Sequence, residues 1–119
     1  MKKQRFYKMY LDDLLSAIIK IESYIQGFDF ENFMNDNKSI DAVIRNLEVI
    51  GEAANKLPDD FKDKHKEVPW KEMYLLRNKI SHEYFGIDYE IIWDIITNYL
   101  PENKKQIEMI INEEGENSW

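Results

Sequence analysis

Apolar positions recur along this chain at helical rather than strand spacing. Tyr7, Leu11, Leu14, Ile18, Ile21 and Ile25 alternate steps of four and three, which draws one stripe down a helix from about residue 4 to 26. Gly27 ends that helix, and a polar connection runs from Glu31 to Lys38. Ser39 is the expected N-cap of a second helix, with Val43, Leu47, Ile50, Ala54 and Leu57 on its inner face. Gly51, Ala53 and Ala54 make that helix thin enough for another backbone to come close, and Pro58 stops it. Residues 58–69 read as a charged connection with room for one helical turn. Pro69 then sits at or just before a third helix carrying Trp70, Met73, Leu76 and Ile80. Gly86 should break or bend it. Asp88 caps a fourth helix through Ile91, Ile92, Ile95 and Tyr99, and Pro101 forces a kink or restart before Ile107, Ile110 and Ile111.

No segment alternates as a strand does, and no internal repeat is present. Short connections favour antiparallel neighbours, so the expected fold is all-α, an up-and-down bundle of four to five helices. With 119 residues it forms one domain, residues 1–119, frayed from about residue 112 onward. A hydrophobic fraction of 44% supplies that core and argues against disorder. Cysteine is absent, which removes disulfides, thiolate metal sites and thiol nucleophiles. The basic start leads into a helix carrying Asp12, Asp13 and Glu22, unlike a signal peptide, and no apolar run approaches membrane-spanning length. The expectation is a cytoplasmic protein with no membrane partner. A net charge of −7 argues against nonspecific coating of nucleic acid but leaves room for a local basic cleft.

The chemistry gathers in one octapeptide, Arg77-Asn78-Lys79-Ile80-Ser81-His82-Glu83-Tyr84. Arginine offers a planar fork of donors matched to phosphate, and histidine moves protons near neutral pH. Together they suffice to cleave a phosphodiester without a metal. Arg77 follows the apolar run Met73-Tyr74-Leu75-Leu76, so it must snorkel, pair with an acid or face a cleft. On a helix, Asn78 and His82 share a face, as do Arg77 and Tyr84, whereas Arg77 and His82 are splayed by about 140°. Either the helix distorts near Gly86, or two chains assemble the site around a symmetry axis. Spacing alone leaves Tyr84 and Phe85 open between core aromatics and site residues. Taken without its neighbours, a lone helical histidine such as His82 is usually structural, satisfied by a carbonyl or a nearby acid, and Glu83 is adjacent. His65, in Lys-Asp-Lys-His-Lys-Glu, reads as surface, and Glu48 and Glu52 as a solvated face. No carboxylate cluster has metal-ligand spacing with histidine and no glycine loop cradles phosphate, so neither metal nor cofactor is expected.

Three stretches together resemble the HepT-like branch of the HEPN superfamily, the toxin halves of HEPN–nucleotidyltransferase modules. They are residues 45–54 (RNLEVIGEAA), Val68-Pro69-Trp70, and residues 77–88 (RNKISHEYFGID). The resemblance covers the first helix to about residue 111. It implies an all-α bundle and a homodimer whose motif helices form one composite cleft. It further implies a metal-independent RNA endonuclease, neutralised by a nucleotidyltransferase antitoxin that can transfer AMP to the motif tyrosine, here Tyr84. On that reading His82 is the general base or acid, Arg77 stabilises charge on the phosphate, and Asn78 supports them. RNA is then the substrate, and DNA, lacking the 2′-hydroxyl, is not. The competing reading is a nonenzymatic α-helical adaptor that binds a nucleotide or a partner surface.

Overall fold

Helix α1 (Lys2–Tyr24) buries the stripe its spacing predicts, with Leu11, Leu14, Ile18 and Ile21 fully shielded. The computed structural model describes residues 2–82 and 88–117, and side chains within 6–76 and 88–114. Gly27 takes a φ of 78°, the left-handed conformation that frees the chain from α1. The connection read as polar then forms a short helix, α2 (Phe30–Met34). Asp29 and Asn32 close a reciprocal capping box around its first turn, and Phe33 is fully buried with its ring 5.2 Å from Trp93. The capping box, the buried Phe33 and the contact of Phe30 with Trp93 together anchor these five residues.

Helix α3 (Asn37–Lys56) starts three residues earlier than expected, because Asp36 and not Ser39 is the N-cap. The Asp36 carboxylate accepts from the Ser39 backbone N–H at 3.1 Å, placing Ser39 inside the first turn. Val43, Leu47, Ile50 and Ala54 are fully buried, as is the thin stretch around Gly51 and Ala53. That helix is central, packing against both α1 and α5. After Pro58, α4 (Asp59–Lys64) supplies Phe61 to the core, and α5 (Trp70–His82) buries Trp70 and Met73.

Asp88 caps α6 (Tyr89–Asp94) by accepting from the N–H groups of Glu90 and Ile91. Ahead of Pro101 the helix widens into a π-helical segment, Ile95–Tyr99, before α7 (Leu100–Asn117) begins. The Leu100 N–H reaches back five residues to the Ile95 carbonyl, and the Thr97 hydroxyl donates to the Trp93 carbonyl at 2.7 Å. Proline has no N–H and its ring collides with the carbonyl four residues back, so a wider turn relieves the clash. Ile92, Ile96, Leu100, Ile107 and Ile110 are buried, whereas Ile91 and Tyr99 of the same stretch are exposed. Helix α7 packs along α1. The described residues form an all-α bundle, and none of their helices is long and apolar enough to cross a membrane.

Candidate functional site

The site is built outward from the N-terminal end of α5. Pro69 accepts the first bond of this helix, Met73 N–H to its carbonyl at 3.0 Å. Trp70 is the anchor, buried beside Phe61 and donating its indole Nε1–H to the His65 carbonyl at 2.9 Å. His65 is therefore not a surface residue. It is 5% exposed, packs on the Phe61 ring at 4.8 Å, and shares a hydrogen bond between its Nε2 and Glu114 Oε1 at 3.2 Å. Its charged sequence neighbours mislead because only they point outward, while the imidazole turns onto Phe61.

Glu114 also receives the Lys64 ammonium at 3.2 Å, and Gln106 Nε2 donates to the Glu67 carbonyl at 2.8 Å. Two residues of α7 thus pin the loop between α4 and α5. Phe61 meanwhile packs on Tyr7 of α1 at 4.9 Å. The end of α5 that starts the site is held from three sides.

From there the backbone stays α-helical through His82. Arg77, Asn78 and His82 therefore lie on the last two turns of one helix. The register of a regular α-helix puts Asn78 and His82 on one face and turns Arg77 about 140° from His82. Their side chains, and Tyr84 with the rest of residues 83–87, lie outside the described residues. Any bend at Gly86 comes after His82 and does not bring Arg77 round to it.

Two grooves mark the described surface, and neither is evident from spacing. One, of about 640 Å³, lies between α4 and the first turns of α5, with Val68, Trp70, Tyr74 and Leu75 among its apolar lining and Lys62, Lys66 and Lys71 around it. The other, of about 410 Å³, lies between α1 and α3 and takes in Tyr10, Asp13 and Arg45. Glu48 and Glu52 line this second groove, and Lys56 reaches Glu52 at 3.8 Å. Asn46, next to Arg45, is buried and donates to the Ala42 carbonyl at 2.9 Å, a structural use of that amide. Among the described residues no three histidines or carboxylates converge as metal ligands.

The model of the family described as "Ribonuclease HepT-like" matches residues 14–110. A protein of Methanocaldococcus jannaschii named "Putative RNase" is 49% identical over 110 residues, covering 92% of this chain and 91% of its own. A "Probable ribonuclease HepT" of Thermococcus cleftensis is 42% identical over 107 residues, covering 90% of this chain and 97% of its own. No solved structure matches. With a family match running from the middle of α1 to the middle of α7 and spanning the whole of α5, the chain belongs to the HepT-like ribonuclease family.

Proposed function

We propose that this chain is a metal-independent endoribonuclease toxin, active as a homodimer and neutralised by a nucleotidyltransferase antitoxin. The observation that carries the reading is an α5 regular through His82 within a HepT-like ribonuclease sequence. That helix delivers an arginine, an amide and an imidazole on adjacent turns. The 2′-hydroxyl oxygen of the RNA attacks the adjacent phosphorus, giving its proton to one His82 imidazole. The bond from phosphorus to the 5′ oxygen breaks, and the leaving oxygen takes a proton from a second, protonated His82. Products are a 2′,3′-cyclic phosphate and a 5′-hydroxyl. Arg77 stabilises the charge on the non-bridging oxygens, and Asn78 orients His82 or donates to phosphate. The splay of Arg77 and His82 along one helix favours pairing each with its counterpart across a two-fold axis.

Control falls to Tyr84. Its phenol oxygen attacks the α-phosphate of ATP in the antitoxin's active site, pyrophosphate leaves, and the attached AMP places an anion near Arg77.

The test is purified protein on single-stranded RNA and the matching DNA, with and without EDTA. RNA cleavage that survives EDTA, spares DNA and falls by about 10²–10⁴-fold in His82→Ala supports the reading. Tight binding of RNA or nucleotide without cleavage would instead support a nonenzymatic adaptor. Light scattering should give twice the 14.4 kDa chain mass. Incubation with the antitoxin, ATP and Mg²⁺ should add one AMP to the Tyr84 peptide, and not to Tyr84→Phe.

A further inference from the structure

We propose that the groove between α4 and α5 is the subsite that holds the RNA strand flanking the cleaved bond. The inference rests on the ribonuclease reading and adds to it where the rest of the substrate lies.

Helix register carries the first part. Lys71 lies on the groove, and Asn78 and His82 follow it by seven and eleven residues. At about 100° per residue these fall within about 20° of Lys71 on either side. Tyr74, also on the groove, is four residues before Asn78 and shares its side of α5. The helix is regular throughout, so one unbroken stripe leads from the groove to His82 over a rise of about 17 Å. A strand with its scissile phosphate at His82 can run a few nucleotides along that stripe into the groove. Arg77 lies on another face and does not interrupt it.

The lining supplies the second part. Lys62, Lys66 and Lys71 make no ion pair among the described residues, so their ammonium groups remain available to phosphates. Tyr74 is half-buried and Leu75 is 45% exposed, giving an aromatic ring and an apolar shelf against which bases stack. Asp59, Asp63 and Glu72 balance the lysines, so the groove has no net charge. Such a site holds RNA by stacking plus a few placed cations rather than by a broad positive field, in keeping with a chain of net charge −7. It would suit a single strand better than a duplex, whose bases are not free to stack.

The third part is rigidity. The loop that forms the groove's lower wall is fixed by Trp70 Nε1 on the His65 carbonyl, by the His65–Glu114 bond and by Gln106 on the Glu67 carbonyl. A wall held before binding spares the ordering cost that a mobile loop would incur.

The experiment uses full-length protein and a 2′-O-methyl RNA strand of about ten nucleotides, which cannot supply the nucleophile. Fluorescence anisotropy compares the parent, Lys66→Glu/Lys71→Glu, and Lys20→Glu, whose lysine lines a separate groove between α1 and α3. The double variant should raise Kd about tenfold or more and flatten the dependence of log Kd on log salt by about 1.4, near 0.7 per lost phosphate contact. On cleavable RNA it should raise KM far more than it lowers kcat. Thermal melts of all three should coincide, since these lysines are exposed. Equal weakening by Lys20→Glu, or an unchanged Kd in the double variant, would overturn the subsite. Cleavage by the parent with no groove effect leaves the ribonuclease standing and removes the subsite. Groove-dependent binding without any cleavage does the reverse.

Discussion

Replacing Glu114 with alanine tests whether the C-terminal helix is part of the structure that holds α5. The Glu114 carboxylate is 11% exposed and His65 6%, with 3.2 Å between Oε1 and Nε2. Alanine leaves the imidazole nitrogen without its partner in a shielded place, which costs about 1–3 kcal/mol for a neutral hydrogen bond. If the pair is ionised, the cost rises toward about 3–5 kcal/mol, because a buried charge is left alone. Lys64 adds little, being 67% exposed, and Glu67 at 3.9 Å from Nδ1 is too far and too open to substitute. For a chain of this length each kcal/mol is worth about 4 °C in Tm, so circular dichroism should show a fall of about 4–12 °C for a neutral pair and about 12–20 °C for an ionised one. Glu114→Gln keeps an acceptor oxygen in place. It should recover most of the loss if a neutral His65 donates, and little if the pair is charged. A change in Glu114→Ala within about 0.5 kcal/mol of the parent would refute the reasoning, since that is the range of ordinary surface substitutions. So would a truncation after residue 112 that melts like the full chain.

Two more outcomes are expected. Asp36→Ala should cost about 1 kcal/mol in urea unfolding as the α3 cap is lost, while Ser39→Ala, inside the first turn, should be near neutral; the opposite order would restore Ser39 as the cap. Lys104 donates to Glu22 at 2.9 Å, and that hydrogen bond, aided by the charge of Glu22, raises its pKa from the usual 10.5. A pKa raised by folding gives stability that is present below about 10.5 and is lost as pH rises through the folded value. The stability gap between the parent and Lys104→Met should therefore close only in strongly alkaline buffer, and a gap constant with pH would exclude the bridge.

Much of the fold was legible because the long helices obey one rule, an apolar residue every three or four positions. The seams of α1, α3 and the first turns of α5 followed from it directly, as did the Asp88 cap and a break near Pro101. What escaped depended on single side chains meeting across the sequence. Phe33 lies in a stretch that reads as a polar connection until Trp93, sixty residues later, provides its contact. His65 looks solvated until Phe61, Trp70 and Glu114 surround it, and Glu114 looks like part of an acidic tail for the same reason. The form of the distortion ahead of Pro101 also escaped, since proline announces a break without stating that it will be a π turn. For the candidate site, the motif gave the residue types and their helix. The grooves are products of tertiary packing, and local spacing carries no trace of them.

The π turn at Ile95–Tyr99 also has a bearing on chain length. Holding i to i+5 bonds, it takes up one residue more than an α-helix would need there while keeping Ile92 and Ile107 on the core side. The segment is thus a place where the polypeptide can be shortened by one residue and remain continuous, the wide turn closing to an ordinary one. Homologous chains of unequal length should differ at this point more readily than inside α1 or α3, where removing a residue would swing every later side chain by about 100°. Pro101 sets the limit on that freedom, since its ring must still clear the carbonyl four places before it.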